Sequence, residues 1–388
     1  CAREDEMSTK HCLLSVIVVL MILALTVSTV GAQAEPPVMA DKGEWDVSTL
    51  ADLSEFTNLS ENYIPPTDLI SIDSEPAPIS PVSNFIYTKT PTYYFHRDHS
   101  ASKYRLEVYD VNASEIVISM IAPATCSATY CWLKPTTKLK ILTARSEHGS
   151  YSWRVTSKVK GEWQTPSPTA NFIVLSKGFF NDFSTAPSKW LQWNGVWDWI
   201  ATKGIFRTSG NPGVYNSVFH EALFQNFEYT ARLKRTITGW NSNVLAMGFP
   251  GPETANHRWY HGVYFGYNND GLFWIFINKD GSLAKQDVIA TDVIVPYGWN
   301  EIKMAVMDPY VDFWINGTYI GWINIADLDL ELSLVGVDMY AVSDGGKLLI
   351  DWAQVKSMTV LPTSVHDPAQ ELVLHSATSN IDMQDPAQ

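Results

Sequence analysis

The chain has 388 residues, 18% of them charged and 46% hydrophobic, with a net charge of −14. An acidic balance of that size argues against nucleic acid or an anionic membrane surface as partner, because both would be repelled. The length allows two or three domains, and the charge suits a soluble extracellular protein kept dispersed by self-repulsion.

Lys10 and His11 precede the apolar run Leu13–Val30, and Ala32-Gln33-Ala34 follows. A positive start, an apolar core and a small-x-small site predict an export signal over residues 1–34, with Met7 as the true start. A retained membrane anchor is the rival reading, since the run approaches spanning length. Cleavage leaves Cys126 and Cys131. In a secreted chain, two thiols with four residues between them most simply close one small disulfide loop. No second Cys or His pair lies at ligand spacing, which argues against a metal site there.

Residues 35–81 are rich in Pro, Ser, Asp and Glu, ending in EPAPISP at 75–81. They lack the periodic apolar residues a core needs and read as a disordered linker. Residues 82–175 alternate in short runs. Tyr104, Leu106 and Val108 point one way in YRLEVYD, Ile116–Ile121 follows, then YSWRV at 151–155 and NFIV at 171–174. This spacing predicts a small β-sandwich.

Residues 176–358 form a second domain. FFNDF stands at 179–183, with Trp190, Trp193, Trp197 and Trp199 close behind. GVYFGYNNDGLFWIFINKDGS at 262–282 and VDFWINGTYIG at 311–321 carry the turn dipeptides Asp270-Gly271, Asp280-Gly281 and Asn316-Gly317. Each reaches the positive φ of a tight hairpin, so these runs predict one antiparallel sheet with Val311, Phe313 and Ile315 facing the core. Asp312 and Trp314 face away from it. Residues 359–388 lose the pattern and read as a disordered tail, although Asp-Pro-Ala-Gln recurs at 367–370 and 385–388.

On TPTY at 90–93, YRLEVYD, the two cysteines, GEWQTP at 161–166 and PSPTANFIV at 166–174, the first module resembles fibronectin type III and related immunoglobulin-like modules of bacterial exported proteins. The resemblance implies a spacer or docking fold and no chemistry. On FFNDF, FEYTARL at 227–233, VDFWINGTYIG and IDWAQV at 350–355, the second resembles the concanavalin A-like, specifically laminin-G-like, jelly rolls. That implies two curved antiparallel sheets packed face to face.

Eleven of the 15 Trp fall after residue 175, more than a core of that size needs. Exposed rings stack on sugar faces while neighbouring amides and charges bond hydroxyls. Trp240, Asn241, Arg258, Trp259, Tyr260, His261, Trp274 and Trp314 are therefore the expected ligand-binding residues, with core packing as the competing role of each ring. DLDLE at 327–331 would place Asp327, Asp329 and Glu331 on one face of a strand. It is similar to the E-x-D-x-E strand of concanavalin A-like glucanases, but begins with Asp and lies late in the domain. A hydrolase is thus the alternative, and no catalytic residue is assigned. The laminin-G resemblance also implies Ca²⁺ at a sheet rim, for which Asp182, Asp308, Asp338, Asp344 and Asp351 are candidates. No phosphate loop, dinucleotide fingerprint or zinc-protease motif occurs.

These readings predict a secreted, non-catalytic, all-β protein: a linker, an immunoglobulin-like β-sandwich and a jelly roll. Its partner would be a polysaccharide, a cell-surface glycan or another extracellular protein. A purely structural surface appendage is the third possibility.

Overall fold

A computed structural model describes residues 76–376, apart from 83, 147, 211, 238–241, 252–256, 331, 342–345 and 359–365. The expected export signal and most of the expected linker lie outside the described residues, as do Trp240 and Asn241. No helix among the described residues is long and apolar enough to cross a membrane.

The first module holds β1 (Pro78–Ser80), β2 (Asn84–Ile86), β3 (Tyr93–His96), β4 (Ala101–Asp110), β5 (Glu115–Ala122), β6 (Thr125–Cys126), β7 (Tyr130–Leu133), β8 (Ser150–Val159), β9 (Glu162–Trp163) and β10 (Ala170–Val174). They form a first sheet ordered β1-β3-β7-β6 and a second ordered β2-β10-β8-β4-β5, with β9 on β8. Alternation does the folding: Tyr104, Leu106 and Val108 of β4 enter a core with Tyr93, Phe95, Trp153 and Phe172. Burying such a side chain stabilises the fold by about 1.5–3 kcal/mol. Cys126 and Cys131 face each other across β6 and β7 and are joined, with Cα atoms 4.0 Å apart. The end of the expected linker is structured, since Pro78–Ser80 pairs with β3.

The second module holds β11 (Gly178–Asn181), β12 (Trp190–Asn194), β13 (Trp197–Ile200), β14 (Ile205–Ser209), β15 (Tyr215–His220), β16 (Phe227–Arg235), β17 (Ser242–Phe249) and β18 (His261–Tyr267). It continues through β19 (Leu272–Lys279), β20 (Ser282–Ala290), β21 (Trp299–Met307), β22 (Tyr310–Ile315), β23 (Thr318–Asn324), β24 (Leu334–Tyr340), β25 (Lys347–Ser357) and β26 (His375–Ser376). The third sheet is β13-β14-β25-β16-β21-β22-β23 with β11 on β25; the fourth is β12-β15-β24-β17-β18-β19-β20-β26. All pairs of named strands in both are antiparallel. The two sheets pack face to face in the jelly-roll manner, around Phe265, Phe273, Phe313, Tyr229, Val337 and their neighbours.

The hairpin expectation needs one correction. All three turn dipeptides do close hairpins, and Asp280 and Asn316 have φ of 53° and 50°. The first two join strands of the fourth sheet, whereas Asn316-Gly317 joins strands of the third. Their aromatic faces are therefore on opposite sides of the sandwich. Period-2 alternation fixes which residues share a face and carries no information about which sheet a hairpin joins.

The tail also departs from expectation. Asp367 caps a single 3₁₀ turn over Pro368–Gln370, and Leu372 and Leu374 pack on the sandwich core. Leu372 N donates to Trp322 O at 2.8 Å on the edge strand β23, and β26 pairs with the opposite edge strand β20. The segment thus covers an edge of each sheet, where unpaired backbone groups would otherwise stand open. Gly321 admits it, because a Cβ there would meet Gln370 O at 2.6 Å.

The two modules share apolar surface. Phe85, Leu142, Ile173 and Leu175 of the first join Leu191, Phe219, Leu223 and Leu334 of the second in one buried cluster. Ala144 N donates to Glu221 O at 2.7 Å, and Tyr87 Oη to Gln225 O at 2.9 Å.

Candidate functional site

The register places three transverse rows on the outer face of the fourth sheet. One runs Ser217, Asp338, Val244, Gly266, Trp274; the next Phe219, Gly336, Ala246, Tyr264, Phe276; the third Leu334, Gly248, Gly262, Asn278. Small residues in the middle make a trough between aromatic walls. The chain fills that trough itself. Trp259, from the connection between β17 and β18, is fully buried there. Its ring lies so close to Gly336 that a Cβ there would meet Cζ2 at 2.4 Å.

Hydrogen bonds hold the ring in place. Trp259 Nε1 donates to Ser217 Oγ at 2.6 Å, and Ser217 Oγ donates to Asp338 Oδ1 at 2.5 Å. Trp259 N donates to Tyr264 Oη at 2.6 Å, and Asn278 Nδ2 to Trp259 O at 3.2 Å. Burial pushes the Asp338 carboxyl up to about 8, against a smaller downward pull from Ser217, so it is largely a neutral acid at pH 7. Burial pushes the Tyr215 hydroxyl up to about 12.

The sequence candidates separate into four groups. Trp259 and Trp274 are corrected: at 0% and 4% exposure they are packing residues of the covered face, because the glycine-lined trough gives an indole a place to be buried. Trp240 and Asn241 lie outside the described residues. Trp314 is half-buried on the outer face of the third sheet, away from the others. Arg258, Tyr260 and His261 flank Trp259 in the chain, and of these Tyr260 and His261 come together at the rim of the trough. The Tyr260 and His261 rings stack at 4.9 Å and 23°, and His261 Nε2 pairs with Asp280 Oδ1 at 3.1 Å. Arg258 lies over the rings of Tyr215 and Phe276, at 5.4 and 5.8 Å. All three are partly exposed, and the Asp280 side chain is 64% exposed. This rim offers ring faces beside hydrogen-bonding groups, the combination that holds a sugar.

The acidic run does not make a strand. Ala326–Leu328 form a turn, Asp329 has a φ of 48°, and Asp327 pairs with Lys285 at 3.4 Å; Glu331 lies outside the described residues. The expected common face is thereby overturned. Asp338 is the one carboxylic acid in the three rows of the fourth sheet, whereas retaining and inverting glycosidases work with two. Among the described residues no three His, Cys, Asp or Glu side chains gather as a metal site. Asp182 accepts from Ser184, Asp351 pairs with Arg232, Asp308 sits in a turn, and Asp344 lies outside the described residues.

Sequence reasoning missed Asp280 and Ser217, and gave Asp338 only as a candidate Ca²⁺ ligand. The alternation Leu334, Gly336, Asp338, Tyr340 in β24 is the signal that could have placed Asp338 on the face away from the sandwich core.

No family model and no curated protein matches the chain. Among solved structures, a Bacillus licheniformis β-glucanase is similar at 7% identity and a TM-score of 0.38, over 47% of this chain and 99% of that one. A Bacillus subtilis protein with a galectin-like fold is similar at 13% identity and 0.36, over 46% and 96%. A carbohydrate-binding module from Bacillus subtilis is similar at 15% and 0.28, over 44% and 92%. At identities and scores this low, function rests on this chain's own side chains.

Proposed function

We propose that this is a secreted, non-catalytic glycan-binding or surface-adhesion protein, in which residues 82–175 serve as an immunoglobulin-like spacer and residues 176–358 as the binding jelly roll. The observation that carries the reading is the Tyr260–His261 ring pair beside Asp280 at the rim of the fourth sheet. A partly exposed pair of stacked rings, with a carboxylate within hydrogen-bond reach, suits a sugar ring with its hydroxyls. The trough below is closed by Trp259, so the ligand would rest at the rim.

A non-catalytic role fits the single carboxyl in the three rows of that face. A neutral, fully buried Asp338 has no second carboxyl beside it there to act as nucleophile or base. Export is supported by the signal-like start and by the joining of Cys126 with Cys131, which persists in an oxidising compartment. A glycan array probed with the full secreted chain and with Tyr260→Ala tests the reading. Binding that depends on Tyr260 is the expected result.

A further inference from the structure

The opposite side of the sandwich carries a surface that this function does not use. On the outer face of the third sheet, the register aligns Phe180, Gln354, Thr230, Lys303, Trp314 and Tyr319 in one transverse row. Phe180 is 60% exposed on β11, while its neighbour Phe179 turns inward against Trp190. A register shift in the β16–β25 pairing, between Arg232 and Leu233, accompanies two consecutive residues, Asp351 and Trp352, that both face outward. Trp352 lies 6.1 Å from Phe180, ring to ring. At the other end Trp314 and Tyr319 are 5.2 Å apart. Four strand spacings separate β11 from β22, so the two aromatic pairs stand about 19 Å apart.

The charges between them are matched. Arg232 Nη1 meets Asp351 Oδ2 at 2.7 Å, and Lys303 Nζ meets Glu228 Oε2 at 3.3 Å while lying 4.0 Å from the Trp314 ring. The register also sets Lys356 beside Glu228 and Glu301 beside Arg232, so three cations and three anions stand between the aromatic pairs, with no excess charge to attract an ionic polymer. The surface has rings for apolar faces and paired polar groups for hydroxyls.

We infer that the outer face of the third sheet is a second binding platform, for an extended, uncharged polysaccharide lying across the strands between Phe180–Trp352 and Trp314–Tyr319. Two ring pairs set about 19 Å apart favour a straight, flat chain over a coiled one. The platform is independent of the Tyr260 rim, on the other sheet, and either can exist without the other.

Affinity electrophoresis of the full chain tests this, with hydroxyethyl cellulose as the neutral extended probe and polygalacturonate as the anionic one. Phe180→Ala and Trp314→Ala are compared with Tyr260→Ala. Circular dichroism melts confirm that each variant is folded; if one is not, Phe180→Ser or Trp314→Gln takes its place. The expected result is retardation by hydroxyethyl cellulose and not by polygalacturonate. Phe180→Ala and Trp314→Ala should each weaken it by on the order of tenfold, an effect worth about 1.4 kcal/mol, and Tyr260→Ala should leave most of it. No retardation by the neutral polymer, equal retardation by the anionic one, or loss in Tyr260→Ala alone would each overturn the platform. The last of these would place binding of this polymer at the rim, and none of them counts against the rim as a site for another glycan.

Discussion

Trp259 and Ser217 are joined by an indole-to-hydroxyl hydrogen bond of 2.6 Å, although one comes from a loop and the other from a buried strand. The bond fixes the loop residue in the trough of the fourth sheet and makes it part of the fold. Trp259→Ala should therefore act on stability, at about 3–5 kcal/mol, by leaving a cavity against Gly336 and a Ser217 hydroxyl that keeps only its bond to Asp338. Chemical denaturation checks this. A Trp259→Ala variant that melts like the wild type would mean that the ring is not buried in solution.

Two buried groups set opposing pH dependences. Asp338 holds its proton in the folded chain up to about pH 8 but releases it near pH 4 when unfolded. Between those values the folded state binds more protons, so this term lowers stability as pH rises. Burial depresses His220 to about 3, assisted by Lys189, so from about pH 6.5 down to 3 the unfolded state binds the extra proton. That term lowers stability as pH falls. The two oppose each other between about pH 4 and 6.5, and the Asp338 term acts alone from there to 8. Asp338→Asn should flatten the loss between pH 6.5 and 8, since an amide can still accept from Ser217. Thermal melts across that window check it, and parallel wild-type and variant curves would contradict it.

The segment 366–376 should stabilise the sandwich and keep it monomeric. His366 lies 4.4 Å from the Tyr310 ring and 4.8 Å from the Trp322 ring, with its Nε2 3.3 Å from Asp312. Removing residues 359–388 bares the edges at β20 and β23, so the truncated chain should melt earlier and associate with rising concentration. Leu372→Ala alone should cost roughly 1–2 kcal/mol, since that side chain is partly buried. Light scattering after size exclusion reads the association.

The secreted form should begin near Glu35 and be two hydrogens lighter than the fully reduced chain, because Cys126 and Cys131 are the cysteines that remain. Intact mass with and without reductant checks both points. A mass that includes Met7–Ala34 would indicate a retained anchor.

Much of the fold was legible because strand alternation and turn chemistry are local. Tyr104, Leu106 and Val108 face inward as expected, as do Val311, Phe313 and Ile315, and each expected hairpin dipeptide turns the chain. What alternation cannot read is the distance between strands far apart in sequence, such as β14 with β25, which decides how hairpins are shared between sheets. The site was legible only in part for the same reason. Tyr260 and His261 could be gathered because they are neighbours in the chain, but the burial of Trp259 depends on Gly336, which lies on a distant strand. Asp327 and Asp329 alternate in the sequence, yet Asp329 takes a φ of 48°, in the left-handed region outside the extended backbone of a strand.

The most direct test of the glycan-binding account measures binding and turnover together on one polysaccharide panel. The full chain, Tyr260→Ala, His261→Ala and Asp338→Asn are each assayed for retention and for release of reducing ends. Binding without release is the predicted result, weakened by about 1–3 kcal/mol in Tyr260→Ala and left intact by Asp338→Asn. Release of reducing ends that Asp338→Asn abolishes would contradict the account and make the protein a hydrolase.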